Sequence, residues 1–290
     1  MNILIAFNTF MAEKIKKRAG RRDADVDAIR TIWWFQCLAN RLETDAPREV
    51  QRVIAPRTVS PDVNGNPIKN NKFLGYSRGV HVPSRELALQ AERVVPRSSW
   101  VLYHPIWTVL RSTGPISKHA LTWVRQLDHE IQAIVLGPYN AIVGGASQHT
   151  LGALERRASL DSLAALALLL RLRHEEGKPE WVWLYADSIF RVLLLIGTHL
   201  DLQGVAERMF RLYVERVFSL AEFEGRRMDL SSYDYVFATY LLAVVANRVR
   251  EKHAPQRDRR MPTFYALQVL TGPYELRFKQ YFQIPLVSIT

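Results

Sequence analysis

Between Arg57 and Arg85 the chain sets five cations beside aromatic rings. Arg57, Lys69, Lys72, Arg78 and Arg85 carry the charge, and Phe73, Tyr76 and His81 fall among them. Cations neutralise phosphates and rings stack on bases, the combination that single-stranded RNA or DNA binding uses. A surface loop whose aromatics tuck beneath it is the plain structural alternative. The run Lys14, Lys16, Lys17 and Arg18 reads either as a basic arm or as a solvated helix end. Arginine outnumbers lysine 30 to 9. Arginine is the better fork for phosphate, and codon composition alone would give the same excess.

A second constellation lies at the end of a long helical pattern, where Arg248 and His253 are separated by four residues. This R-x4-H spacing resembles the short arginine–histidine motif of HEPN-type ribonucleases, an all-helical family. The resemblance covers these six residues, and Val249 stands where the family usually places a polar side chain. It implies a helical ribonuclease in which His253 is general base or acid to a ribose hydroxyl and Arg248 holds the phosphate. Arg97 and His104 repeat the spacing more loosely.

Other chemistry is thin. Cys37 is the only cysteine, which excludes an internal disulfide and a cysteine-based zinc site. It lies in the apolar run IWWFQCLA and reads as an inert buried thiol. Asp23, Asp25 and Asp27 lack the glycine and closing glutamate of a calcium loop, and read as a helix start. Gly144-Gly145 lacks both the GxGxxG pattern and a phosphate-loop lysine, and HExxH and GxSxG are absent. No cofactor and no metal is expected.

The elements that must position these residues are helices. Ser159 and Asp161 suit an N-cap and first-turn acid for LAALALLLRLR, a helix apolar on almost every side and suited to a bundle centre. Gly177 and Pro179 suit the junction to a second helix, striped by Trp181, Leu184, Tyr185, Ile189, Val192 and Ile196. Asp201 is the expected cap of a third helix, and Ser231 and Ser232 of a fourth. The fourth should bury Tyr233, Val236, Phe237, Tyr240, Leu241 and Val244. Upstream, Ser84, Ser98 and Ser117 open helices, the second interrupted at Pro105. Residues 44–83 carry five prolines and Asn64-Gly65, and are expected to be irregular, with at most a hairpin around VSPDVNGNPI.

The expected fold is all-α: a multi-helix bundle over residues 137–290, preceded by a basic helical region over 1–136 with an irregular, loop-rich stretch at 44–83. The net charge of +11 is uneven, +8 up to Leu136 and +3 beyond it. No run reaches the about 18 consecutive apolar residues of a membrane helix, so a cytoplasmic chain without membrane contact is expected. The functional expectation is a non-enzymatic, nucleic-acid-associated protein, with a role inside a larger complex. The alternatives are the HEPN-type ribonuclease and a scaffold that binds a protein partner or a second copy of itself.

Overall fold

A computed structural model describes residues 23–58, 71–143, 145–253, 262–274 and 276–289. The Lys14–Arg18 run, Lys69, the VSPDVNGNPI hairpin and Gly144 lie outside the described residues. The chain divides into two compact units, residues 1–96 and 97–290. Fourteen α-helices account for most of the described chain, so the all-α expectation holds.

Among the described residues the first unit contains four α-helices: α1 (Ala24–Arg41), α2 (Pro47–Ile54), α3 (Lys72–Ser77) and α4 (Arg85–Val94). Asp25 and Asp27 occupy the first turn of α1, where the positive end of the helix favours acids. The core side of α1 carries Val26, Ile29, Trp33, Trp34 and Leu38, all buried. Ser84 caps α4 by accepting a hydrogen bond from the Leu87 amide at 3.2 Å. Helices α2 and α3 fall inside the stretch expected to be irregular. Pro47 is the reason for the first: it starts α2, a position where its missing N–H costs nothing, and does not break a helix. Gly79 has φ +69° and faces α1 so closely that a Cβ there would sit 2.8 Å from the Ala28 carbonyl oxygen. Only glycine meets both conditions.

The second unit begins with α5 (Ser98–Tyr103), α6 (Pro105–Arg111), α7 (Ser117–Val124), α8 (His129–Val135) and α9 (Gln148–Arg157). It continues through α10 (Leu160–Glu175), α11 (Pro179–Leu202) and α12 (Ala206–Arg216). A hairpin of β1 (Glu222–Phe223) and β2 (Arg226–Met228) leads to α13 (Tyr235–His253) and α14 (Pro262–Thr271). Strand β3 (Leu286–Ser288) then returns to β2, giving a small antiparallel sheet in the order β1-β2-β3. Residues 97–136 belong to this unit, so the compact units part at Pro96, ahead of the boundary expected at 136.

Helix α10 is its axis. Ser159 caps it by accepting from the Ser162 amide at 3.1 Å, and Gly177, at φ +65°, closes it. Helices α6, α7, α8, α9 and α11 all pack on it, which requires apolar residues on every side. Three charged side chains, two of them on α10 and one on α12, fix its neighbours. Glu175 accepts from the amides of Ile116 and Ser117 at the start of α7, the latter at 3.2 Å. Arg171 donates to the Ser112 carbonyl, and Arg216 donates to that of Leu110 at 3.1 Å, both at the end of α6. By length and composition α11 could cross a membrane, but 61% of its most apolar window is buried inside the protein. Asp201 lies within α11 and caps nothing, because the helix runs on to Leu202.

Candidate nucleic-acid interface

The structure sorts the Arg57–Arg85 residues into two groups. Arg57 (in a 3-10 turn over Pro56–Thr58), Lys72, Arg78 and Arg85 are exposed. Phe73 and Tyr76 face inward, at 3% and 6% exposure. Their rings meet edge to face at 5.4 Å, and Tyr76 meets Trp34 the same way at 5.6 Å. Burial pushes the Tyr76 hydroxyl above its ordinary range. The stacking faces that the sequence pattern offered to bases are therefore taken up by the core. Spacing three apart on one short helix put both rings on one side, and that side is the inner one. The described part of this unit is also nearly neutral, with nine Lys and Arg against eight Asp and Glu. Its positive balance comes mainly from residues 1–22, outside the described residues, where six Lys and Arg stand against one Glu.

A different surface brings rings and cations together. Asp234 opens α13 by accepting from the Phe237 amide at 3.0 Å. The buried face of that helix is Tyr235, Ala238, Thr239, Leu242, Val245, Ala246 and Val249. Phe237, Tyr240 and Val244, expected in the core, are instead 51%, 45% and 49% exposed. Gly197 on α11 gives the reason. A Cβ there would stand 2.0 Å from Cγ2 of Thr239, so the Thr239 side chain of α13 packs directly onto the α11 backbone at Gly197. Thr239 and the Tyr235 hydroxyl fill the space against Gly197, and the side of α13 that carries them is the inner one, which leaves Phe237, Tyr240 and Val244 outward.

The outward rings are partly tethered. Tyr240 donates its hydroxyl to Asp201 at 2.8 Å, and Phe237 meets Tyr281 edge to face at 5.8 Å. Arg248 continues the same exposed face, and Lys252 follows it one turn on. Neither cation has a carboxylate partner among the described residues. Phe237 to Arg248 covers about 16 Å of helix rise.

Arg248 and His253 lie on this one continuous helix, five residues apart and so about 140° apart around its axis. Both are exposed. The imidazole of His253 sits 5.2 Å from the Tyr274 ring, on another side from the Arg248 face. Within one chain the two do not converge on a common point.

Two polar clusters that sequence reasoning missed are internal. His104, 2% exposed, caps α6 by accepting from the Ile106 amide at Nδ1 and presents Nε2 to Asp161. Glu155, 6% exposed, accepts from Ser188 at 2.7 Å and from Arg191 at 3.0 Å, while Arg191 also meets Asp187 at 2.7 Å. Burial raises the Asp187 carboxyl, and Arg191 offsets part of that rise. Each cluster joins helices far apart in sequence, and only the fold could reveal it. No group of three or more metal-ligating side chains occurs among the described residues. No protein-family model, no curated protein and no solved structure matches this chain.

Proposed function

We propose that this chain is a non-enzymatic, nucleic-acid-associated helical protein that meets a single strand on the outer face of α13. One observation carries the reading: Phe237 and Tyr240, about half exposed, share a helix face with the cations Arg248 and Lys252, which have no carboxylate partner among the described residues. A ring on that face stacks on a base, and the cations past it hold the phosphates that follow along the strand. The exposed Arg57, Lys72, Arg78 and Arg85 of the first unit supply a second, purely electrostatic set.

The test is binding of the purified chain to labelled single-stranded RNA and DNA across a salt series, with the nucleic acid inspected afterwards. Affinity should fall steeply with salt as counterions are released, and the strand should stay intact. Cleavage abolished by His253→Ala would replace this reading with the HEPN-type one. Absence of binding at low salt would remove both and leave the protein-partner scaffold.

A further inference from the structure

Helices α11, α13 and α14 enclose a cleft of about 160 Å³ that packing has left unfilled. Its inner wall is apolar: Leu194 from α11, Leu242 and Ala246 from α13, and Ala266 from α14. Its mouth is polar, formed by Thr198, Asn247, Arg250 and Thr263. The cleft follows from the helix geometry. Gly197 clamps α11 to α13 at Thr239, and the small Ala243, Ala246 and Ala266 line the space where α14 lies across them. Leucines at those alanines would close it, and cores are normally closed. An open apolar cleft with a few convergent polar groups is the usual form of a small-molecule site.

The lining selects the ligand. Among the described residues Arg250 is the one charged residue of the lining, and no Asp or Glu is part of it. Arg250 has no carboxylate partner among the described residues. The volume is close to that of cavities of about 150 Å³ that admit a benzene ring. One guanidinium matches one carboxylate as a two-pronged fork, whereas a phosphate dianion would call for more positive charge than this lining holds. We infer that the α11/α13/α14 cleft binds a small monocarboxylate with an apolar body of about one ring, the ring inside and the carboxylate on Arg250. The inference is independent of the nucleic-acid reading, which rests on a different face of α13.

The experiment is a titration of the full chain, methyl-labelled at alanine and leucine, with benzoate, benzyl alcohol and benzylamine. Benzoate should shift the methyl signals of Ala246, Ala266 and Leu242, with benzyl alcohol weaker and benzylamine weakest. Arg250→Ala removes an exposed side chain, so the variant should fold as the parent does. It should weaken benzoate about tenfold, the scale of one charge-assisted hydrogen bond, and leave benzyl alcohol unchanged. Ala266→Leu should abolish the response to both. The inference is overturned if none of the probes perturbs those methyls, if benzylamine binds as well as benzoate, or if Arg250→Ala leaves benzoate binding unchanged.

Discussion

Nε2 of His104 lies 3.3 Å from Oδ1 of Asp161, with the histidine side chain fully buried and that of Asp161 13% exposed. The approach is close enough for electrostatic pairing, though off the line of a good hydrogen bond. Nδ1 of the same ring accepts from the Ile106 amide at 3.1 Å, which places the ring proton on Nε2, facing the carboxylate. Asp161 also accepts from the Asp128 amide at 3.0 Å. One carboxylate thereby joins the starts of α6, α8 and α10.

This carboxylate should make stability depend on acid pH. Burial alone raises the Asp161 carboxyl, but the facing imidazole and the amides of Asp128 and Asp161 outweigh it, leaving it below the ordinary 3.8. A carboxyl depressed on folding stabilises the protein above its unfolded value and loses that contribution as pH falls through the lower, folded one. Urea unfolding at pH 7 should show Asp161→Asn destabilised by about 1–3 kcal/mol. The gap to the parent should narrow below about pH 4. A gap equal at pH 7 and pH 3 would count against the pairing.

Gly197 should be among the least replaceable residues of the second unit. Alanine at a helical glycine normally gains about 1 kcal/mol from propensity. Here the added Cβ would stand 2.0 Å from Thr239 Cγ2 and 2.9 Å from the Tyr235 hydroxyl. Overpacking of that kind costs about 1–3 kcal/mol or more, so Gly197→Ala should lower the melting temperature. Thr239→Ser removes Cγ2 and keeps the hydroxyl that donates to Val236 at 2.8 Å. In the Gly197→Ala background it should restore part of the loss, and a purely additive double variant would contradict the contact.

Helix α10 and helix α13 show what was legible in the chain and what was not. Ser159, the all-round apolar run and Gly177 each point to one central helix, and the structure has it. Along α13 two faces compete. Phe237, Tyr240, Leu241 and Val244 make the stronger hydrophobic stripe, but the core takes the face that fits against Gly197, the one with Thr239 and Tyr235. Periodicity reports hydrophobicity, and the demand for small volume sits on another helix. The same limit governs Phe73 and Tyr76. Their spacing shows that they share a side, and Trp34, distant in sequence, decides that the side is inner. Pro47 was misleading because a proline that breaks a helix and one that starts it look alike until the next turn is known. His104–Asp161 and Glu155–Arg191 connect elements that no local pattern relates.

Two buried tyrosines should respond oppositely to loss of the hydroxyl. Tyr235 donates to the Leu193 carbonyl at 2.7 Å. Tyr185 is fully buried, and its hydroxyl has no hydrogen-bond partner among the described residues. Burial, partly offset by the Arg173 charge, pushes that hydroxyl up to about 12. Removing a paired hydroxyl costs about 1 kcal/mol, whereas removing an unpaired buried one is neutral or stabilising. Tyr235→Phe should therefore lower the unfolding free energy, and Tyr185→Phe should leave it level or raise it. Equal losses in the two variants would show that the Tyr185 hydroxyl has a partner.

Cys37 should be unreactive while the first unit is folded. Burial, partly offset by a hydrogen bond with Trp33, pushes its thiol to about 11. Thiolate is the reacting form, so little is present at pH 8. A thiol-reactive disulfide reagent should modify the native chain far more slowly than the same chain in urea. Equal rates would mean that α1 opens freely at this point.

The outer face of α13 gives the sharpest test of the proposed function, because its residues can be changed without touching the core. Arg248 and Lys252 are exposed and have no carboxylate partner among the described residues, so Arg248→Glu with Lys252→Glu should leave the unfolding free energy within about 0.5 kcal/mol of the parent. If each cation holds one phosphate of a single strand, replacing both lowers the slope of log affinity against log salt by about 1.4. Phe237→Ala acts differently. It removes a stacking surface worth about 1–3 kcal/mol per base and no charge, so affinity falls at every salt concentration while the slope is unchanged. Reversing Arg57 and Arg78 in the first unit is the companion measurement. If that pair alone lowers the slope, the strand runs over the first unit and the α13 face is left for a protein partner.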